Sequence, residues 1–206
     1  MLEADPGFDL IETMRFDPHD GIVNLDRHLA RLKSTAADLG FSFDRHEARN
    51  ELQAATFGHR AKALLRLLVS WRGAMAIQLC AFDNDHDEPV AVSIEKQPVG
   101  GDDWRLRHKT TDRRFYDEAR RRNGTFETIF EDDEGRLTEG SRSSLFVKRG
   151  DKLLTPPLRL GLIPGVLRAR LIDEGEAEEA ELRREDLADG FFIGNSARGL
   201  IAARLA

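Results

Sequence analysis

The chain has 206 residues, of which 40% are hydrophobic and 33% are charged, and its formal net charge is −6. This length allows one large domain or two small ones with cores of their own, and the negative charge gives no general attraction to nucleic acid or to an anionic membrane. The single cysteine, Cys80, excludes an internal disulfide framework and most metal clusters.

No apolar run reaches the roughly 18 residues that a membrane span requires. The first seven residues, M-L-E-A-D-P-G, lack the basic and apolar regions of a signal peptide. The six histidines show no ligand spacing with cysteine or with carboxylates. We therefore expect a soluble cytoplasmic protein with no metal site, no membrane association and no nucleic-acid partner.

The first half of the sequence predicts a small N-terminal α/β domain over residues 1–97. Residues 8–16 alternate loosely and end in a D-P-H-D-G turn, which predicts the first strand of a hairpin. Apolar residues then recur at helical spacing over residues 25–39, and Gly40 is a typical helix end. The remaining predicted elements are a returning strand at 22–25, a weaker helix at 44–56 and apolar strands at 63–71, 75–82 and 89–97.

The second half predicts an interdomain linker at residues 98–108 and a larger C-terminal domain at 109–206. Its predicted elements are helices at 110–123 and 165–174 and strands at 125–130, 143–148, 177–182 and 191–194. The fold class is therefore α/β (α+β) with two lobes, an architecture that suits a ligand held between the lobes.

Lys109 differs from the other five lysines in its sequence context. It follows an apolar region and precedes residues 110–112, T-T-D, which are typical of a helix start. The nearby cations Arg107 and Arg113 favour a neutral, nucleophilic amine. From the residues alone, however, a solvated surface lysine is the more common interpretation.

Four further stretches carry groups that could bind an anion or hold a charge. Arg31 lies in H-L-A-R-L, and its planar guanidinium matches phosphate oxygens, although a solvated helix arginine is the usual alternative. Gly165 lies in L-I-P-G-V-L-R at a helix start, where backbone N–H groups and the helix dipole favour an anion. The most specific stretch is T-E-G-S-R-S-S-L-F, which contains Glu139, whereas I-G-N-S-A-R-G near the C-terminus could be an ordinary turn.

The order of these motifs, which begins with F-D-L-I-E-T-M-R at residues 8–15, resembles the fold type IV pyridoxal-phosphate enzymes. These are the branched-chain and D-amino-acid aminotransferases and the 4-amino-4-deoxychorismate lyases. The resemblance implies a two-lobed, D-amino-acid aminotransferase-like fold with pyridoxal 5'-phosphate between the lobes. It also implies a homodimer and a small-molecule substrate that carries an amine and a carboxylate.

The resemblance assigns a role to each motif. It implies that Lys109 holds the cofactor as a Schiff base, and that Glu139 keeps the pyridine nitrogen protonated so that the ring can accept electrons. The implied phosphate ligands are Arg31, the amides of Val166 and Leu167, and the Ser196 hydroxyl with the Ala197 amide.

Two positions depart from the family pattern. The aminotransferases often place a tyrosine five residues after the lysine, whereas the only tyrosine here, Tyr116, follows it by seven and could either reach the ring or pack. Ser144 stands where many members have asparagine.

The candidates for binding substrate carboxylates are Arg15, Arg107 and Arg198, each of which could equally be structural or solvated.

The segments L-D-R-H-L-A-R-L and H-K-T-T-D-R look most like the lyase-like domains that are fused behind aminodeoxychorismate synthase component I. This resemblance favours a lyase that converts 4-amino-4-deoxychorismate to 4-aminobenzoate and pyruvate through Lys109. The same apparatus would serve an aminotransferase acting on branched-chain or D-amino acids, and the sequence does not decide between the two. A non-catalytic relative that binds without chemistry is the third interpretation, and the joint presence of Lys109, Glu139 and Arg31 argues against it.

Overall fold

The computed structural model describes residues 5–84 and 86–206, and this part of the chain divides into two compact units. The first unit contains the described residues up to Asn84 together with His108–Asp112. The second contains the described residues from His86 to Arg107 together with Arg113–Ala206. Residues 90–96, predicted as the last strand of the N-terminal domain, pair instead with strands of the second unit, and this pairing determines where they belong.

The first unit is a four-stranded antiparallel sheet with two helices. Its strands are β1 (Leu10–Asp17), β2 (Gly21–Ile22), β3 (Ala63–Val69) and β4 (Met75–Ala81), in the order β2-β1-β3-β4. Its helices are α1 (Leu25–Leu39) and α2 (Arg45–Thr56).

The core of the first unit lies between one face of this sheet and the helices. Alternate residues of β1 and β3, including Leu10, Met14 and Leu65, are fully buried and cluster with Leu29 and Leu32 of α1. This alternation is the period-two pattern of a strand with one face on the core. The predicted end of α1 at Gly40 is confirmed, since Gly40 is left-handed with φ of 72°.

Residues 110–112 do not begin a helix, contrary to their helix-start composition. They run antiparallel to the first part of β1, with a bridge between Leu10 and Thr110 and a hydrogen bond from the Thr111 N–H to the Asp9 carbonyl at 2.8 Å. Helix α3 begins only at Arg114. The short β2 leaves this edge of β1 open, and the pairing there outweighs the local preference of Thr and Asp for helix caps.

The second unit is built on an eight-stranded mixed sheet in the order β10-β9-β8-β11-β12-β5-β6-β7. The strands are β5 (Val90–Lys96), β6 (Glu127–Glu131), β7 (Leu137–Gly140), β8 (Ser144–Arg149), β9 (Lys152–Thr155), β10 (Ala177–Glu179), β11 (Phe191–Asn195) and β12 (Gly199–Leu205). A bridge between Leu137 of β7 and Leu182, which follows β10 by three residues, brings the two ends of the sheet together, so the sheet curls on itself. The helices are α3 (Arg114–Asn123) and α4 (Val166–Asp173).

Three of these strands, β7, β9 and β12, have no counterpart among the predicted elements. Every residue of β7 is buried, so the strand shows no apolar and polar alternation, and it contains Thr138 and Glu139. Cys80 lies exposed on β4, an edge strand, although it belongs to an apolar run of the sequence. Within the described residues, no helix has the length and apolar character needed to cross a membrane.

Helix α4 is anchored by Arg168, which is 3% exposed. Its Nε and one terminal nitrogen donate to the Pro156 carbonyl at 3.2 and 2.9 Å, and the guanidinium also pairs with Glu179 of β10. A buried arginine is tolerated only when its donors are satisfied in this way. Arg168 therefore fixes the first turn of α4 against the preceding P-P segment.

We expect Arg168→Ala to lower the free energy of unfolding by about 2–4 kcal/mol, because it leaves the buried Pro156 carbonyl without its donor. Urea denaturation would measure the loss. Arg159→Ala is the matched control: Arg159 pairs with Glu181 on the surface, so its removal should change stability by less than about 0.5 kcal/mol. Equal losses in the two variants would contradict an anchoring role for Arg168.

Candidate active site

Lys109 lies in the edge segment beside β1, and this pairing determines which face of the sheet it occupies. The Ile11 N–H donates to the Lys109 carbonyl at 3.1 Å. Since residues opposite each other in an antiparallel pair project to the same face, Lys109 shares the face of Ile11. This is the face away from α1, because Leu10 and Thr110, one position along, are buried on the helix side. Lys109 itself is half-buried.

Two arginines occupy the same face of the first unit. Arg15 follows Ile11 by four positions on β1, and Arg66 of β3 pairs with Thr13 of β1. Strand spacings place the Cα atoms of Lys109 and Arg66 on the order of 12 Å apart. Among the described residues, the Arg15 Nε is a buried nitrogen without a hydrogen-bond partner, and its guanidinium lies 5.9 Å from the Phe82 ring centroid. The face thus combines an amine with two guanidinium groups.

Arg31 is held in a fixed orientation by Glu12. Its Nε and one terminal nitrogen donate to the two Glu12 oxygens at 2.8 and 2.6 Å, and the His28 Nδ1 lies 2.7 Å from Oε2. Burial would raise the pKa of Glu12, but the charges and hydrogen bonds of Arg31 and His28 outweigh burial and lower this pKa from 4.5 to about 2. A guanidinium has five N–H donors, so this fork does not by itself exhaust Arg31.

Glu139 is a buried carboxylate on β7 in the second unit. Its Oε1 accepts hydrogen bonds from the Tyr116 hydroxyl at 2.6 Å and from the Ile163 N–H at 3.2 Å. Burial, and then the charge of Glu139, raise the pKa of Tyr116 well above its usual value. The hydroxyl therefore keeps its proton and remains a donor. Tyr116 also packs edge-on against Phe130, so it both packs in the core and orients Glu139.

The first turn of α4 carries the amides of Val166 and Leu167. Gly165 precedes them as the N-cap and has no capping side-chain hydrogen bond. A Cβ at Gly165 would overlap the Ser144 Oγ, so only glycine allows this close approach of the two segments. The N–H groups at the start of a helix have no partner within the helix, and they favour an anion.

The turn between β11 and β12 contains Ser196, Ala197 and Arg198. The Asn195 Oδ1 accepts the N–H groups of Ala197 and Arg198 at 3.1 and 3.0 Å. The Ala197 amide, which the resemblance assigns to a phosphate, would therefore have to share its hydrogen with Asn195. β11 lies against α4, because a Cβ at Gly194 would meet the Leu167 side chain at 2.9 Å.

The other two candidate arginines have different surroundings. Arg107 is exposed and donates to the carbonyls of Asp102 and Gly101, both at 3.0 Å. Arg198 is half-buried, and its charge contributes, after burial and the charge of Arg120, to the lowered pKa of Arg142. The structure therefore brings Arg15 onto the face of Lys109 and places Arg107 and Arg198 in the second unit.

Sequence reasoning missed Arg66, Glu12 and Asn195. The alternation of β3 could have placed Arg66 on the face of the sheet opposite α1, but the pairing of Glu12 with Arg31 joins residues 19 positions apart. No local pattern predicts such a contact. Asn195 lies within the motif I-G-N-S-A-R-G, in which the family resemblance gives roles to Ser196 and Ala197 but none to Asn195.

Comparison with known proteins agrees with this fold. The family model described as amino-transferase class IV matches residues 9–205. An amino-acid aminotransferase from Mesorhizobium loti, so named provisionally, is 37% identical, covers 97% of this chain and all of its own, and superposes with a TM-score of 0.89. A provisionally named aminodeoxychorismate lyase of Schizosaccharomyces pombe is 26% identical over 191 residues, which are 88% of this chain and 81% of that protein.

A third relative, a provisionally named 4-amino-4-deoxychorismate lyase from Legionella pneumophila, is 21% identical and has a TM-score of 0.83. The match covers 96% of this chain and 82% of that one, and it shows a shared fold. The predicted fold type IV architecture is therefore confirmed.

The fold and the family match define a pyridoxal-phosphate-dependent enzyme. The chain belongs to the class IV aminotransferase family. The predicted enzyme class and the predicted cofactor are both confirmed.

We expect the stabilising effect of the Glu12 carboxylate to depend on pH. Because its folded pKa is lowered from 4.5 to about 2, its contribution, on the order of 3 kcal/mol, is complete above about pH 5 and is lost as the pH falls toward 2. The difference in unfolding free energy between the wild type and Glu12→Gln should therefore shrink by more than half between pH 7 and pH 3, as measured in urea.

The control for this experiment is Glu51→Gln, which alters an exposed carboxylate of α2. The small difference between this variant and the wild type should not show the same change with pH. A pH-independent difference for Glu12→Gln would show that the ion pair with Arg31 does not stabilise the fold.

Proposed function

We propose that this enzyme is a lyase that releases 4-aminobenzoate and pyruvate from 4-amino-4-deoxychorismate. The observation that carries the proposal is the sheet face shared by Lys109, Arg15 and Arg66. This substrate bears an amine and two carboxylates, and the face presents one amine and two guanidinium groups. The similarity to the fission-yeast protein supports the same reaction.

The residues present fit the cofactor by the chemistry of their donors and acceptors. The buried Glu139 carboxylate suits a protonated pyridine nitrogen, and the start of α4, where Gly165 leaves no room for a Cβ, suits a phosphate. We propose that Lys109 binds the cofactor covalently, that Glu139 binds its ring nitrogen, and that the phosphate is bound by Arg31, Val166, Leu167 and Ser196, with Ala197 sharing its amide.

When bound, pyridoxal phosphate withdraws electrons from the substrate carbon that carries the amine and so makes its proton easier to remove. In the proposed reaction the Lys109 Nζ accepts that proton. The Glu139 carboxylate would pair with the ring nitrogen, and the Tyr116 hydroxyl and the Ile163 amide hold its Oε1 in place. Tyr116 thus acts through Glu139, as a positioning residue.

Arg15 and Arg66 have separate parts in binding the substrate. Arg15 is half-buried with an unsatisfied Nε, which suits a carboxylate bound close to the sheet. Arg66 is exposed at the surface of the first unit and suits the more distant carboxylate. Arginine binds carboxylates with two parallel hydrogen bonds, so the pair would fix the direction of the substrate as well as its charge.

An aminotransferase acting on branched-chain or D-amino acids is the second candidate. The 37% identity to the Mesorhizobium loti protein favours it. The two reactions would share the removal of a proton by Lys109 and would differ in the step that follows. A branched-chain amino acid carries one carboxylate and would leave one of the two arginines without an anion. The family resemblance also supports a homodimer and a cytoplasmic location. Light scattering would test the homodimer.

We expect the purified, cofactor-loaded protein to release 4-aminobenzoate from 4-amino-4-deoxychorismate, and Lys109→Ala to lower kcat roughly a thousandfold or more, because the variant lacks the proton acceptor. Borohydride reduction and peptide mapping should find the cofactor on Lys109. Lys33→Ala, which removes an exposed lysine of α1, is the control and should leave the rate unchanged.

The visible spectrum with added amino acids separates the two candidates. An unchanged spectrum with L-isoleucine and with D-alanine, together with 4-aminobenzoate release, supports the lyase. Conversion of the cofactor to its amine form by either amino acid, without 4-aminobenzoate release, would overturn the proposal in favour of an aminotransferase. Cofactor mapped to another lysine would overturn the assignment of Lys109.

We expect Arg66→Gln to raise the KM for the dicarboxylate about 10- to 100-fold with little change in kcat, because a charge-assisted hydrogen bond to a non-reacting carboxylate contributes about 1.5–3 kcal/mol. Steady-state kinetics would measure the change. Arg72→Gln is the matched control, since Arg72 stacks on Trp71 in the β3–β4 turn. An unaltered KM in Arg66→Gln would remove Arg66 from the substrate site.

A further inference from the structure

The loop after Glu139 is wrapped around a second buried carboxylate, that of Glu127. Glu127 is fully buried, and its Oε1 accepts the N–H groups of Thr128 and Ser141 at 2.9 and 3.0 Å and the Ser141 hydroxyl. Its Oε2 accepts the Ser143 hydroxyl at 2.7 Å and the Arg142 N–H at 3.2 Å. The conformation of residues 141–143 is therefore determined by one side chain of β6.

Asn195 connects this loop to the β11–β12 turn. Its Nδ2 donates to the Arg142 carbonyl at 3.1 Å, while its Oδ1 accepts the N–H groups of Ala197 and Arg198. The backbone of Arg142 is thus held at its N–H by Glu127 and at its carbonyl by Asn195. The two ends of one side-chain amide join a loop that follows Glu139 to a turn that contains Ser196.

We propose that Asn195 is a positioning residue that fixes the Ser196 turn relative to the Glu139 strand, and through it the distance between the phosphate and ring-nitrogen ends of the cofactor site. The inference rests on the proposed roles of Ser196 and Glu139. In pyridoxal phosphate a single CH2–O link joins the ring to the phosphate, so the groups that bind the two ends must keep their separation within a narrow range. A hydrogen-bonded bridge between their loops provides that separation without touching the ligand.

The geometry of the bridge explains why an asparagine serves here. An amide side chain offers one donor and one acceptor, and both are used in opposite directions. Aspartate would keep the acceptor for the turn but would place a second oxygen against the Arg142 carbonyl. Serine could still accept from the turn and is too short to reach the loop. Each substitution therefore breaks one side of the bridge and keeps the other.

The test compares the affinity of the apoprotein for pyridoxal phosphate with its affinity for pyridoxal, which lacks the phosphate, in Asn195→Asp and Asn195→Ser. We expect the affinity for pyridoxal phosphate to fall about tenfold in each variant while the affinity for pyridoxal stays unchanged. Absorbance titration measures both affinities, and neither measurement requires turnover. A general loss of stability would weaken the binding of both ligands alike.

Two controls separate the possible failures. Ser196→Ala should give the same selective loss if the proposed phosphate contact is correct, and Asn123→Asp, which breaks an amide bonded to Glu95, should give none. A selective loss in Ser196→Ala but not in the Asn195 variants would overturn the positioning role alone. If no variant shows a selective loss of pyridoxal phosphate affinity, the role of Ser196 is overturned, and the inference with it. If the Asn195 variants bind both ligands equally more weakly, Asn195 has only a structural role.

A double-mutant cycle that combines Glu127→Gln with Asn195→Ser tests the connection through the backbone of Arg142. If Glu127 and Asn195 act as one bridge, the loss of pyridoxal phosphate affinity in the double variant should be smaller than the product of the two single losses. Independent, multiplicative losses would show that the loop and the turn are held separately and would overturn the bridge.

Discussion

Burying a carboxylate costs several kcal/mol unless donors surround it, and this protein meets that constraint in both units. In the first unit Glu12 is enclosed by Arg31 and His28, and in the second Glu127 is enclosed by five N–H and O–H groups. In each case the donors belong to segments that carry candidate active-site groups. Because these donors must surround the buried carboxylates, the segments that carry them have a fixed geometry. That geometry in turn determines the arrangement of the candidate site.

The elements that sequence predicts well are those whose signals are local. Helix α1 has an apolar stripe and a glycine stop, and α2 has Asp44 as its cap, so the predicted and observed bounds of both agree within a residue or two. Residues 110–112 have an equally clear local signal, yet they extend the sheet, because the open edge of β1 offers them hydrogen bonds. Strand β7 shows no alternation because both of its faces are buried. Neither outcome can be derived without knowing the neighbours.

The same distinction between local signals and long-range contacts applies to the candidate site. Lys109, Glu139 and Arg31 stand out because their motifs resemble a known family, and the resemblance predicts the enzyme class and the cofactor correctly. Their partners do not stand out. Tyr116 lies 23 positions from Glu139, and Asn195 lies 53 positions from Arg142, so the contacts that orient the predicted groups arise only from the folded sheet. The motifs point to candidate reacting groups, whereas the topology supplies the residues that orient those groups.

The two faces of the sheet in the first unit make folding and substrate choice separable. Residues that point toward α1 form the core, whereas Thr13, Arg66 and Gln78 form one row on the other face. If that face binds the substrate, exchanging side chains in the row would alter selectivity while the packing beneath stays the same. Such a row is a compact target for laboratory evolution. It also offers a physical route by which one scaffold could diverge toward acidic or apolar substrates without first losing stability.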